Sequence, residues 1–153
     1  MYNIEEFDNE KTRVLKYIMF KKRTEQEIKN KFSKTIDESM LEDIIDYLKE
    51  AGYINDEDYI DRAINEFIAL KSLSLKEVKY KLLAKGVNKN LIEDYMYKHS
   101  DKLNEYEAKS ATKIAIKKST SMDENGIKQF LFKKGYRQEI VELALDEINL
   151  ENN

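Results

Sequence analysis

The sequence predicts an all-α protein of nine helices, arranged as three tandem three-helix modules. Three observations support this fold class. The 153 residues include no proline and only four glycines, and 37% are charged, so helix formers dominate and few residues suit tight hairpin turns. Apolar residues recur at helical spacing along most of the chain. A capped helical segment also occurs three times at a spacing of about fifty residues, which is typical of helical repeats.

The middle copy of the repeated segment, residues 74–87, has the clearest helix signals. Ser74 and Glu77 have the spacing of a capping box, in which each side chain accepts a backbone N–H at the start of a helix. Gly86 can adopt the left-handed conformation that ends a helix. The buried stripe of this helix is predicted to be Leu75, Val78 and Leu82.

The other two copies begin at Thr24 and Asp123, and each departs from the pattern at one end. In the third copy Gly126 replaces the glutamate, so Asp123 is predicted to cap the helix alone. In the first copy residues 33–36 lack the Lys-Gly pair that ends the other two. The repeat therefore predicts three related helices with unequal ends.

Caps and apolar stripes divide the chain into modules at residues 1–52, 53–103 and 104–153. The helices predicted for the first module run from Asp8 to about Lys22, from Thr24 to Phe32, and from Asp37 or Ser39 to a stop at Gly52. Those of the second run from Asn55 or Asp56 to about Lys71, from Ser74 to Gly86, and onward from Asn88. Those of the third run from Asn104 to Lys118, from Asp123 to Lys134 and from about Gln138 to Ile148, with a loop at 119–122.

The composition offers little for catalysis, metal binding or membrane insertion. There is no cysteine and a single histidine, His99, and no glycine-rich phosphate loop or nucleophile motif. The acids at 56–58 lack the ligand pattern of a calcium loop. No apolar run approaches the roughly 20 residues that span a bilayer, and the acidic N-terminal residues do not suit a signal peptide. We therefore predict a cytoplasmic protein that is not an enzyme and needs no cofactor or metal.

Charge is segregated along the chain. The formal net charge is −3, which by itself argues against a nucleic-acid-binding protein. However, residues 11–34 hold nine basic side chains against two acidic ones, whereas residues 37–61 hold ten acidic side chains against one basic one. Two interpretations stay open: surfaces of opposite sign that bind partners, or solvated helix faces whose charges pair across neighbouring helices.

Three segments carry a family resemblance when they are taken in order: an acidic connection at 48–59 and two helix ends at 81–87 and 130–136. The set is similar to that of the RecX family, regulators of the RecA recombinase, and the resemblance covers roughly residues 8–148. It implies an elongated, curved array that binds in the groove of the RecA nucleoprotein filament. It also implies that the protein limits the ATPase, strand exchange and coprotease activities of RecA. The expected partners are the RecA filament and, through it, single-stranded DNA, and we expect a monomer.

Candidate contact residues follow from the outward faces of the second helices in modules two and three. They are Lys76, Tyr80, Lys81, Lys85, Lys128, Lys133, Lys134 and Arg137. The cations suit acidic recombinase residues or DNA phosphates, and Tyr80 or Tyr136 could stack on a base, although tyrosines at a core edge usually keep the hydroxyl in water. Two alternatives remain: a helical module that binds DNA without a recombinase, and a helical-repeat scaffold for another protein.

Overall fold

A computed structural model describes residues 3–151, and this part of the chain contains nine α-helices and no strand, which confirms the predicted all-α class. The helices are α1 (Ile4–Phe20), α2 (Glu25–Phe32), α3 (Glu38–Glu50), α4 (Asp56–Leu70), α5 (Leu75–Ala84), α6 (Lys89–Lys98), α7 (Ser100–Lys118), α8 (Glu124–Lys134) and α9 (Gln138–Glu151). Within residues 3–151, none of them combines the length and apolar character needed to cross a membrane.

Each successive triplet of helices surrounds its own hydrophobic core, and we call these triplets modules 1, 2 and 3. Fully buried residues such as Ile44, Ile64 and Val141 lie in the three separate cores. Leu103 lies on α7 but is buried in the core of module 2, so this helix contributes to two cores. The sequence boundaries at 52/53 and 103/104 stay predictions.

Two helix starts differ from the sequence prediction. Helix α1 begins at Ile4 rather than Asp8, because the Asn3 side chain accepts the Glu6 N–H at 2.7 Å and caps the helix earlier. Helix α7 begins at Ser100 rather than Asn104, almost directly after α6. Asn104 has a side chain typical of a helix cap. In the structure, however, its side-chain oxygen accepts a hydrogen bond from Arg137, the residue immediately before α9.

The predicted caps of the repeated helices are confirmed. Thr24 and Ser74 each form a complete capping box with the glutamate three residues later. Asp123 caps α8 alone by accepting the Gly126 N–H at 2.8 Å. The Lys-Gly stops are also confirmed, since Gly86 has a φ of 84°. The chain between α7 and α8 is non-helical, as the expected loop at 119–122 required.

Candidate functional site

The second helices of the three modules meet end to end at two junctions. At junction one, where α2 meets α5, the Thr24 hydroxyl donates to the carbonyl of Lys85 at 2.7 Å. At junction two, where α5 meets α8, the Ser74 hydroxyl donates to the carbonyl of Lys134 at 2.8 Å. Both hydroxyl residues are fully buried. The partly positive start of one helix thus faces the partly negative end of the next, which favours the contact.

A carboxylate from the following module completes each junction. The Glu25 N–H donates to Asp56 Oδ1 at 3.1 Å, and the Leu75 N–H donates to Glu107 Oε2 at 2.8 Å. Each N–H belongs to the first residue of its helix, where no backbone acceptor is available. The first helix of one module therefore satisfies the second helix of the module before it.

The glycine of each Lys-Gly pair lets the two helix ends approach closely. A Cβ on Gly86 would lie 2.5 Å from Gln26 Cβ, and one on Gly135 would lie 3.0 Å from Lys76 Cβ. The glycine therefore ends its helix in the left-handed conformation and also leaves room for the neighbouring helix at the junction. Within residues 3–151 no second helix docks on the end of α2, and Asp123 docks on no further module, which accounts for the departures of the first and third copies.

Seven of the eight candidate residues are exposed, as the sequence predicted, and six of these seven make no ion pair within the described residues. Tyr80 is 60% exposed, and the Lys76 ammonium lies 5.9 Å from the centroid of its ring. The six residues are Lys76, Tyr80, Lys81 and Lys85, in or next to α5, and Lys128 and Lys133 on α8. The structure therefore leaves cations exposed along two of the three end-to-end helices.

The other two candidates, Lys134 and Arg137, are engaged in junction two. The Lys134 ammonium lies 3.2 Å from Glu77 Oε2. Arg137 Nε donates to Glu107 Oε1 at 3.0 Å, and its terminal nitrogen donates to Asn104 Oδ1 at 2.9 Å. Lys134 bridges modules 2 and 3 directly, whereas Arg137 holds Glu107 of its own module, which in turn accepts from the Leu75 N–H of module 2. A role for these two residues in partner contact stays a prediction.

Tyr136 does not have either of the environments that the sequence suggested. It is 2% exposed, and its hydroxyl shares a hydrogen bond with the Ser110 hydroxyl. Burial is the largest cause raising the pKa of Tyr136 above its ordinary value. The expectations that Tyr136 stacks on a base or keeps a wet hydroxyl are therefore wrong, because α7 covers this residue with a polar partner of its own.

Sequence reasoning missed the two carboxylates that complete the junctions. Glu107 is 1% exposed, and Asp56 is half-buried, where burial is the largest cause raising its pKa. Lys49 lies beside junction one, and its hydrogen bond to Glu25 raises the pKa of this ammonium. The repeat nevertheless contained a sequence signal for the contact between helix ends. Complete capping boxes occur in copies one and two, whereas Lys-Gly stops occur in copies two and three, and this offset indicates contact between one cap and the next stop.

Comparison with known proteins places the chain in a family. No family model matches it. The regulatory protein RecX of Clostridium acetobutylicum is 30% identical over 153 residues, which cover 94% of this chain and 70% of that protein. The chain belongs to the RecX family. The resemblance that residues 48–59, 81–87 and 130–136 carry is thereby confirmed.

Two other RecX proteins have nearly the same sequence identity to this chain, but the match covers a smaller share of their own length. RecX of Staphylococcus carnosus is 30% identical over 90% of this chain and 53% of its own length. RecX of Streptococcus mutans is 31% identical over 97% of this chain and 58% of its own length. The chain thus spans little more than half of these relatives. The crystal structure of RecX from Lactobacillus salivarius superposes with a TM-score of 0.82 at 26% identity, covering 97% of this chain and 99% of that one.

Proposed function

We propose that this RecX-family protein binds a RecA nucleoprotein filament and modulates, mostly by inhibition, its ATPase, strand exchange and coprotease activities. The observation that carries the proposal is the end-to-end series of α2, α5 and α8 with exposed cations on the last two. These helices have 8, 10 and 11 residues, which amount to roughly 44 Å of helix at 1.5 Å per residue. A series of this length suits a polymer that repeats its subunits along a groove.

The exposed cations supply the proposed contacts. Lys76, Lys81 and Lys85 line one helix, and Lys128 and Lys133 the next. A solvent-exposed charge pair contributes about 0–1 kcal/mol, so no single lysine decides binding. Several weak contacts on one rigid body add up, because the entropy of association is lost only once. Inhibition then follows from occupation of the groove, without any reaction catalysed by this chain.

We place this activity in the cytoplasm and assign it to a monomer, with single-stranded DNA reached through the filament. The protein needs no cofactor in this scheme. The three modules act as one ligand, since both junctions bury their hydroxyl groups and hold neighbouring helix ends in hydrogen-bonding contact.

The test is the ATPase rate of a RecA filament titrated with this protein. The wild type should lower the rate at stoichiometric levels. The Lys128→Glu/Lys133→Glu double variant should need about tenfold more protein, because two reversed surface contacts of about 0.7 kcal/mol each amount to one factor of ten. Lys134 is left unchanged because it pairs with Glu77, and its reversal would also disturb junction two.

The matched control is Lys113→Glu/Lys117→Glu on α7, which makes the same charge change at exposed positions on another helix. This control should inhibit like the wild type, and circular dichroism should show unchanged helicity for both double variants. A wild type that alters neither ATPase nor strand exchange would refute the proposal. Binding to naked DNA without that effect would favour the plain DNA-binding alternative.

A further inference from the structure

Two exposed aromatic side chains lie on either side of junction two, on the helices that carry the exposed cations. Tyr80 on α5 is 60% exposed, and Phe132 on α8 is 40% exposed. Each follows an exposed lysine by four residues, Lys76 and Lys128 respectively, so each ring shares one helix face with a cation. We call Lys128, Phe132, Lys76 and Tyr80 the junction row.

The close approach of α8 and α5 makes the junction row continuous. The Gly135 N–H donates to the Phe132 carbonyl at 3.0 Å, which places Phe132 one turn before the end of α8. A Cβ on Gly135 would lie 3.0 Å from Lys76 Cβ. Neighbours three or four residues apart on a helix have Cβ atoms about 5–6 Å apart, so Phe132 and Tyr80 lie on the order of 15 Å from each other.

The two aromatic side chains gain little from their own protein. Phe132 pairs with no other ring among residues 3–151, and the contact recorded for the Tyr80 ring there is the Lys76 ammonium at 5.9 Å. Lys76 and Lys128 make no ion pair in the same part of the chain. Single exposed aromatics are common in proteins, but two of them beside unpaired cations have the composition of an interface, with apolar anchors and a charged rim.

We propose that Phe132 and Tyr80 are the apolar anchors of the filament contact, each filling an apolar, acid-rimmed pocket on the protein surface of a recombinase subunit. The inference deepens the proposed function and rests on it. Lys76 and Lys128 lie at the rim of this contact, where they attract acidic side chains and speed association. The anchors lose their hydration when they are buried, so they control how slowly the complex dissociates.

A protein pocket suits these rings better than a nucleic-acid base does. A base stacks flat on an open ring face. The Lys76 ammonium lies over the Tyr80 ring, however, and Phe132 exposes less than half of its surface. Insertion into a pocket needs only the edge and the tip of a ring. Stacking on single-stranded DNA is therefore the alternative that the experiment must separate.

The test measures inhibition of the ATPase of a RecA filament at 50 and 200 mM salt. Tyr80→Ser/Phe132→Ser should need about tenfold more protein than the wild type for half-inhibition at both salt concentrations, because salt does not screen apolar burial. Lys76→Gln/Lys128→Gln should need about threefold more at 50 mM salt and should approach the wild type at 200 mM, because salt screens rim charges.

The matched control is Phe20→Ser/Tyr97→Ser, which removes one phenylalanine and one tyrosine that are 87% and 85% exposed on α1 and α6. This control should inhibit like the wild type. Circular dichroism checks that all three variants keep their helicity. Fluorescence anisotropy with a labelled oligothymidylate, without recombinase, should show no difference between the wild type and Tyr80→Ser/Phe132→Ser.

The outcomes separate this inference from the proposed function. A wild type that does not inhibit would overturn both. If the wild type inhibits and Tyr80→Ser/Phe132→Ser inhibits equally well, the anchors are wrong and the proposed function stands. An equal loss in the control variant would also overturn the anchors, because exposed apolar surface in general would then cause the effect. A tenfold loss of oligothymidylate binding in Tyr80→Ser/Phe132→Ser would identify the junction row as a stacking surface for bases instead.

Discussion

Junctions one and two join equivalent helix ends but are held by different interactions. Junction two has a buried polar network, in which Glu107 accepts from the Leu75 N–H and from Arg137. Junction one has the half-exposed Asp56 in the place of Glu107. The helix ends of junction one nevertheless approach more closely. A Cβ placed on Gly86 would lie 2.5 Å from Gln26 Cβ, whereas one placed on Gly135 at junction two would lie 3.0 Å from Lys76 Cβ. The same end-to-end contact between second helices is thus held by a buried polar network at junction two and by closer packing at junction one.

Further hydrogen bonds strengthen this contrast. At junction two the Tyr106 hydroxyl accepts from the Leu73 N–H at 2.9 Å and donates to the Lys71 carbonyl at 2.7 Å. Ser110 adds a hydrogen bond to the Leu73 carbonyl. The charge pair closest to junction one, between Lys49 and Glu25, lies at the solvent-exposed rim, where such pairs contribute little. We therefore expect polar substitutions to affect junction two more strongly, and added volume to affect junction one more strongly.

The largest expected effect is that of Glu107→Ala. This change leaves the Leu75 N–H without its acceptor and removes the carboxylate partner of Arg137, which keeps its hydrogen bond to Asn104. The free energy of unfolding should fall by about 3–4 kcal/mol, because two hydrogen bonds to a charged group are lost and the one to the half-exposed Arg137 contributes less. The equivalent change at junction one, Asp56→Ala, removes a half-exposed acceptor and should cost about 1 kcal/mol. Chemical denaturation followed by circular dichroism measures both. Equal losses would mean that the two junctions do not differ in their polar bonding.

The next effect is that of Gly86→Ala. Gly52 serves as control because it has the same φ of 84°, yet a Cβ there would meet nothing within 4 Å. Gly52→Ala should therefore cost only the left-handed strain, about 1–2 kcal/mol. Gly86→Ala should cost about 2–4 kcal/mol, because the backbone at Gln26 must also shift. The same thermal or chemical melts give the difference, and equal costs would show that junction one yields freely to added volume.

The smallest effect compares two helix caps. Ser74→Ala removes a cap and also leaves the Lys134 carbonyl without its donor, so it should cost about 2 kcal/mol. Asp123→Ala removes only a cap and should cost about 1 kcal/mol. Denaturation curves for the two variants decide between them. If Asp123→Ala costs as much as Ser74→Ala, the hydrogen bond across junction two contributes nothing to stability.

Local chemistry explains why much of the fold was predictable. The caps at Thr24, Ser74 and Asp123 and the stop at Gly86 depend on residues within four positions of one another, and each was identified correctly. Asn104 was misread for a related reason. It has the side chain of a cap, but the choice between capping and binding Arg137 depends on a residue 33 positions away.

The candidate contact residues also include some features that follow from the local sequence and others that depend on tertiary packing. Exposure of Lys76, Tyr80 and Lys128 follows from helix periodicity, which the sequence contains. The engagement of Lys134 by Glu77 does not, because it depends on which helix ends meet.

The sequence by itself determined the helical class, the three-fold repeat, the caps and the stops, because these depend on short-range backbone hydrogen bonding and on the period of apolar residues. Only the tertiary structure decided that each cap hydroxyl bonds the next module's helix end, and that Glu107 rather than water satisfies the Leu75 N–H. The physical reason is that hydrogen bonds between residues 31 to 61 positions apart depend on how the modules pack. The unequal ends of the three copies indicate that packing indirectly, because complete capping boxes occur in copies one and two and Lys-Gly stops occur in copies two and three.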